Sequence, residues 1–440
     1  MSELPANVDS LLHPSWTIPV LPRGVVLENH SIAITDGKIT AIAPRHQMNA
    51  VSAKQEHELP GQAALPGLVN CHGHAAMTLL RGYADDTPLM PWLEDHIWPA
   101  EGAHVSEEFV EDGVELAIAE MLRSGTTTFS DMYFFPNVTA ATAQKMGMRC
   151  QITFPVFDFP TAWGQNADDY ISKGLAVRDD FKHSDLVSVI FGPHAPYTVN
   201  QENLGKVATL AAELDTGIHI HLHETSGEVL QAVEEHGERP LDTLNRLGLL
   251  GPRTQAVHMT DIGDQDIALL AATGTHVVHC PMSNMKLASG TCPVYKLAEA
   301  GVNVALGTDS AASNNNLNLF IEMQTAALLA KLASQNAASI PAADALAMAT
   351  INGARAMGIS DKVGSLEIGK QADIISVDLS GPETQPLYNA LSQLVYACNG
   401  SQVSHSWING ELVMAQRELL RLDLASLASK TNAWQARISQ

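Results

Sequence analysis

The stretch "AALPGLVNCHGH", residues 63–74, is where this chain changes character. It begins as a short apolar run, breaks at Pro66-Gly67 and ends on His72 and His74, one residue apart. Alternate residues of an extended segment point to one side, so both imidazoles enter the same space. Two such nitrogen donors are a start for a transition-metal site. Held only by backbone groups, they would be structural.

The pattern repeats downstream. Short apolar runs that end in polar residues cover Ala64–Val69, Thr126–Phe129, Gln151–Val156, Val187–Phe191, Ile218–Leu222, Gln255–Val257, Thr275–Val278 and Val302–Leu306. Between them lie helix-like stretches such as "EEFVEDGVELAIAEMLRSG" and "NLGKVATLAAELDTG", each stopping at glycine, a common helix terminator. Eight strand–helix units predict a (β/α)8, TIM-like barrel over residues 64–360. An open doubly wound sheet is the alternative.

In a barrel, the C-terminal strand ends form the active site. The fourth run leads into "FGPHAPYT" with His194, and the fifth is "IHIHLHET" with His219, His221, His223 and Glu224. The sixth gives "AVHMTD" with His258, the seventh "VVHCPMSN" with His279, and the eighth "VALGTDSAASNNN" with Asp309. With His72 and His74, six of the eight ends then carry histidine or carboxylate. Any single one is ordinary, but the set in register points to a metal site. Which histidine of the fifth run faces the mouth depends on strand phase, which the residues leave open.

Outside the barrel the texture differs. "GVVLENHSIAITDGKITAIAP", residues 24–44, alternates apolar and polar positions around Asp36-Gly37, the signal of a hairpin. Strand-like text returns in "VGSLEIGKQADIISVDL" and "VSHSWINGELVMA". Residues 1–63 and 361–440 are therefore expected to form one small β-sandwich from both chain ends, the latter part adding a terminal helix.

Composition bounds the function. Of the 440 residues, 45% are hydrophobic and 17% charged, enough for a large core. A formal charge of −23 disfavours nucleic acid and anionic membranes as partners. Cys71, Cys150, Cys280, Cys292 and Cys398 are scattered and odd in number, which fits reduced thiols. "MSELPANVDSLLHPSWTIPV" has no basic start before an apolar core. No apolar run reaches the roughly 18–20 residues of a membrane span. A cytoplasmic protein is the expectation, with a homodimer as the default assembly.

The linked motifs "LPGLVNCHGHAAMTLLRGYADD", "GTTTFSDMYF", "GPHAPYTV", "HLHETSGE", "HCPMSNMKLASG" and "GTDSAASNN" resemble the amidohydrolase superfamily. Within it, they resemble the 5′-methylthioadenosine/S-adenosylhomocysteine deaminases. The resemblance runs over nearly the whole chain. It departs at Ser310, where many relatives have glycine.

The resemblance implies metal ligation by His72, His74, His221 and Asp309. His221 is chosen because the family motif sets glutamate three residues after the ligand. His219 and His223 are then neighbours without a metal role. No lysine ends the fourth run, "LVSVIFGPHAP", where two-metal relatives often carry one, so a single ion is expected. One Zn2+ suits three imidazoles and a carboxylate, and Fe2+ or Mn2+ also tolerates that set.

The expected reaction is hydrolytic removal of the amino group of an adenine nucleoside. Asp309 moves a proton from the attacking water to the leaving amine. His258 aims that water. Glu224 donates to the purine ring nitrogen, its bland alternative being to orient His221. Glu101 is implied as the acceptor for the ribose hydroxyls, with His194, Trp92, Phe154 and His279 around the nucleoside. Trp92 reads almost equally well as plain core, Glu101 as a solvated helix-cap acid, and Ser283 and Asn284 as loop residues without a role.

"CQITFPVFDFPTAWGQNADDY", residues 150–170, contains no Lys or Arg, and Phe154 stands where some relatives place an arginine for a carboxylate tail; Phe157, Phe159 and Trp163 add apolar surface and Asp158 negative charge, their plain alternative being barrel core. 5′-Methylthioadenosine is therefore expected ahead of S-adenosylhomocysteine, with adenosine a further candidate. Guanine or cytosine deamination and triazine hydrolysis remain as rivals on the same metal cage, and a non-catalytic binding barrel as a remote one. The cytidine-deaminase fold is excluded by the lack of Pro-Cys-x-x-Cys.

Overall fold

In the computed structural model, which describes residues 4–440, the strands divide between two sheets. The larger part of the chain builds eight strands: Leu68–Asn70, Thr126–Asp131, Arg149–Val156, Val187–Pro193, Ile218–Leu222, Thr254–His258, His276–His279 and Val304–Leu306. Each pairs in parallel with the next. The first and last meet where Cys71 N donates to Leu306 O at 2.9 Å and Asp309 N to His72 O at 3.0 Å. Spatial order follows chain order throughout. A doubly wound sheet reverses its order at a switch point, so that alternative is excluded and the fold is a (β/α)8 barrel.

Phase is legible from the packing. Ile220 and Leu222 belong to the apolar layer under the helices, so His219 and His221 face the barrel interior. Below them, Val69, Cys71, Val257, Val278 and Ala305 fill the inside of the barrel. The eighth strand passes so close to the first that a Cβ on Gly307 would lie 2.7 Å from His72 Cβ. Only glycine lets the two chains approach this way.

The expected start of the barrel at residue 64 is corrected. Ala64–Pro66 ends the long strand Ser52–Pro66 of the second sheet, where Pro66 pairs with Ile374, and the barrel begins at Leu68. Apolar continuity across residues 64–69 hid the change of sheet.

The second sheet has nine strands, drawn from both chain ends. Asn7–Thr17 runs parallel to Ser52–Pro66, and His30–Thr35 with Lys38–Pro44 forms a hairpin. Its turn residues Asp36 and Gly37 have φ of 49° and 75°, the left-handed pair that a two-residue hairpin requires. By hydrogen bonding this is one sheet, and it curls until the hairpin meets the C-terminal segment. Ile39 N donates to Lys370 O at 2.9 Å and Ala372 N to Gly37 O at 2.8 Å. Leu12, Ile32, Ile34, Leu59, Ile374 and Trp407 fill the curl, which gives it the two-layered character of a sandwich. All five cysteines are buried and unpaired. Among the described residues, no helix is long and apolar enough to cross a membrane.

The terminal helix Leu424–Ile438 returns to the barrel helix Glu107–Arg123. Trp434 is buried, stacks edge-on against Phe109 at 5.2 Å and donates from Nε1 to Asp112 at 2.8 Å. Lys430 bridges Asp112 and Glu115, each at 2.8 Å. Trp434→Ala is expected to cost about 3–5 kcal/mol, read as a lower urea midpoint with native circular dichroism before unfolding. An unchanged midpoint would show that this helix clasps nothing essential.

Candidate metal centre and active site

At the C-terminal mouth of the barrel, imidazoles and carboxylates converge. The coordinating atoms of His72, His74 and His221 lie within 4.8 Å of one another, as do those of His72, His258 and Asp309. His72 Nε2 is 3.4 Å and His74 Nε2 3.3 Å from Asp309 Oδ1. His221 Nε2 is 3.2 Å from His72 Nε2. Each ring is held from behind by its other nitrogen. His74 Nδ1 donates to Met132 O at 2.5 Å, and His221 Nδ1 to His194 O at 2.8 Å. His72 Nδ1 meets His219 Nε2 at 2.8 Å. With Nδ1 carrying the proton, Nε2 presents a lone pair to the centre.

The strand ends leave regular geometry to make this possible. His258 would face outward by alternation from Ala256, but its φ of 76° turns it. Asp309 has φ of 61°. Such left-handed non-glycine residues cost energy and collect at functional sites. His223, at φ 50°, ends the fifth strand and leaves the centre. Its Nε2 accepts from Leu241 N at 3.1 Å and its Nδ1 donates to Asp261 O at 2.9 Å.

Asp309 and His258 are held by residues to which no role could be given from their position alone. Ser283 Oγ donates to Asp309 Oδ2 at 2.6 Å, Ser313 Oγ reaches the same oxygen at 3.2 Å, and Ser310 N donates to Oδ1 at 2.8 Å. His258 Nδ1 donates to Asn284 Oδ1 at 2.9 Å, which leaves Nε2 3.8 Å from Glu224 Oε2. Burial pushes the Glu224 carboxyl above its usual range. A carboxyl shifted in this direction is better suited to donate a proton than an ordinary one. Its backbone is anchored by Glu228, which accepts from Glu224 N at 2.8 Å and His223 N at 3.1 Å.

A cavity of about 540 Å3 opens over the centre, lined by His74, His221, Glu224, His258 and Asp309 at its base. Glu101, Trp92 and His194 line it too. Burial raises Glu101 to about 7, and Tyr133 Oη donates to its Oε1 at 2.7 Å. Glu101 is thus half-buried and paired with buried Tyr133 in the wall, unlike a solvated cap. His194 stacks 4.7 Å from Phe157, and burial lowers its imidazole to about 3, so it is neutral.

Two expected substrate contacts are not brought to the cavity. Phe154 is fully buried on the helix side of the third strand, against Phe191 and the helix Ala167–Phe181. Its neighbours Pro155 and Phe157 line the cavity instead. Strand alternation decides this, and the run carries no mark of its phase. His279 is buried and absent from the lining, on the same side of its strand as Val277 in the outer layer. Tyr133, Ser283, Asn284 and Ser313 were missed because hydroxyls and amides carry no spacing signal. The aromatic after "SDM" was the one hint for Tyr133.

Ser283→Ala is expected to lower kcat by about 10-fold or more with KM unchanged, since a hydrogen bond to a charged group is worth about 1.5–3 kcal/mol. Parental kcat in steady-state assays would mean that Asp309 needs no such support.

Comparison with known proteins agrees with this architecture. Residues 63–413 match the model of the Amidohydrolase family. A 5-methylthioadenosine/S-adenosylhomocysteine deaminase of Saccharophagus degradans is 52% identical over 98% of this chain and 97% of its own length. One of Teredinibacter turnerae is 51% identical, with 98% of each chain covered. Among solved structures, an adenosine deaminase from Xanthomonas campestris with bound zinc superposes with a TM-score of 0.98 at 47% identity, over 99% of this chain and 100% of that one. The chain belongs to the amidohydrolase family and, within it, to the 5-methylthioadenosine/S-adenosylhomocysteine deaminases.

Proposed function

We propose that this protein is a hydrolytic deaminase of adenine nucleosides, with 5′-methylthioadenosine preferred, and that it holds one zinc ion through His72, His74, His221 and Asp309. The observation that carries the reading is the approach of His72 and His74 Nε2 to Asp309 Oδ1, with His221 Nε2 3.2 Å from His72 Nε2, beneath a cavity of about 540 Å3. Such electron-rich atoms repel one another unless a cation lies among them. Three imidazoles and a carboxylate suit zinc, and Fe2+ or Mn2+ remains compatible. The zinc bound by the Xanthomonas campestris relative favours the first. When bound, such an ion acts as a Lewis acid and makes water a nucleophile near neutral pH.

The residues divide the remaining work. Glu101, kept from solvent by Tyr133, accepts from the ribose hydroxyls. Trp92 and His194 wall the nucleoside. Glu224 donates its proton to the purine ring nitrogen next to the carbon under attack. His258, its ring held by Asn284, orients the attacking water. Asp309 receives a proton from that water and returns it to the leaving amine. Water oxygen replaces the amino nitrogen and ammonia departs; the second water proton returns to Glu224 as the C–OH becomes C=O, and the adenine ring becomes hypoxanthine. Each general acid or base of this kind contributes about 10²–10⁴-fold.

The 5′ substituent selects among adenosines. Among the described residues lining the cavity there is no Lys or Arg, while Trp98, Phe134, Phe157 and Phe159 add apolar surface. Asp158 is engaged elsewhere, accepting from Asn200 N and Asn203 Nδ2, both at 2.7 Å. A methylthio group fits this surface, whereas the homocysteine carboxylate finds no cation. Of the aromatics expected to supply this surface, Phe157 and Phe159 line the cavity, whereas Phe154 and Trp163 do not. Assembly as a homodimer is the default for such a chain.

Glu224→Gln should retain one equivalent of zinc, as the parent does, and lose at least about 100-fold in turnover. Normal turnover would refute the proton role, and two required equivalents in the parent would refute the single-ion site. The kcat/KM for 5′-methylthioadenosine should exceed that for S-adenosylhomocysteine by about 10–100-fold, the worth of one missing charge-assisted hydrogen bond. Ammonia release from both nucleosides, with guanine and cytosine as controls, decides it. Equal values for the two nucleosides would overturn the specificity, and preference for a free base would overturn the reaction class.

A further inference from the structure

Below the metal-facing imidazoles runs a buried chain of hydrogen bonds that crosses the barrel interior. Gln151 Nε2 donates to Met357 O at 3.1 Å, and Gln255 Nε2 donates to Gln151 Oε1 at 2.8 Å. His219 Nδ1 lies 2.9 Å from Gln255 Oε1, and His219 Nε2 lies 2.8 Å from His72 Nδ1. Gln151, Gln255, His219 and His72 are all buried at 2% exposure or less. They come from the third, sixth, fifth and first strand positions, so only barrel closure brings them into line.

We propose that His219, through Gln255 and Gln151, is a positioning residue that fixes the tautomer and ring orientation of His72. The direction of the chain is set at its lower end. A main-chain carbonyl can only accept, so Met357 O must face the amide nitrogen of Gln151. Gln151 Oε1 then faces Gln255 and requires that residue's nitrogen. Gln255 Oε1 is left for His219 and requires a proton on His219 Nδ1. The neutral ring of His219 therefore has a lone pair on Nε2, which requires a proton on His72 Nδ1. His72 Nε2 keeps its lone pair and aims it at the centre. No member changes its charge, and no member has a second arrangement that satisfies both neighbours. His219 so acquires a part in metal binding without being a ligand. The inference rests on the proposed reading of His72 as an Nε2 ligand.

Zinc affinity of the full chain, by chelator competition, tests it. His219→Phe removes the acceptor and should weaken zinc binding about 10–100-fold, the usual cost of losing a group that orients a metal ligand. His219→Gln offers an amide oxygen to His72 and an amide nitrogen to Gln255, and should recover most of that loss. Parental affinity in His219→Phe, or a glutamine variant as weak as the phenylalanine one, overturns the proposal. Gln255→Leu removes only the next link and should weaken zinc about 10-fold; unchanged affinity there also overturns it. Independently of any variant, 15N-histidine spectra of the chelator-treated parent should report His72 and His219 both protonated at Nδ1. A proton on His72 Nε2 refutes the relay. A parent that binds no zinc refutes the metal reading instead, while the spectra still score the relay.

Discussion

Electron-rich atoms brought close together, the His72 and His74 Nε2 atoms against Asp309 Oδ1 and the His221 Nε2 atom against that of His72, are the constraint around which this molecule is organised. The cluster is unfavourable by itself, both through mutual repulsion and through removal of polar groups from water. It persists because each imidazole is tied down at the nitrogen away from the centre: His74 to a carbonyl after the second strand, His221 to the carbonyl of His194, His72 to His219. Asp309 is secured in the same manner by Ser283 and by its neighbour's amide. The polar framework therefore fixes the rings and the carboxylate in place before any ligand arrives.

The rest of the fold serves that arrangement. Parallel strands closing in chain order bring ends far apart in sequence to one mouth, and the closure itself is tight. Residue 307 must be glycine to let the eighth strand carry Asp309 past His72. The left-handed backbone at His258 and Asp309 is strain held in place by the surrounding core. The curled sheet of the two chain ends packs on the barrel helix Glu107–Arg123, and Trp434 clasps Phe109 of the same helix.

Chemistry and selectivity occupy different walls of one cavity. Its base holds Glu224, His258 and Asp309, and burial pushes the Glu224 carboxyl above its usual range. Its upper part is largely aromatic and without cationic side chains among the described residues. A strongly acidic chain, at −23 overall, adds nothing to attract an anionic tail. The preference proposed among adenosines follows from this division, because the purine and ribose are common to all of them.

Much of this was legible from residues alone. The eight runs, their polar ends and the hairpin at Asp36-Gly37 follow from periodicity and turn chemistry, which are local properties of the chain. The histidines and acids that line the mouth stand out for the same reason: ionisable residues at the ends of apolar runs are conspicuous in any one sequence. Strand phase was not legible, because period-2 patterning vanishes in strands buried on both faces. That is why Phe154 and His279 were expected in the cavity and lie behind it, and why the three histidines of the fifth strand needed coordinates to be told apart. The hydroxyl and amide partners, Ser283, Asn284, Gln151 and Gln255, carry no signal, and His219 is legible only as a histidine neighbouring the ligand. Their roles arise only when the barrel closes and sets an acceptor within 3 Å of a donor more than twenty-five residues away.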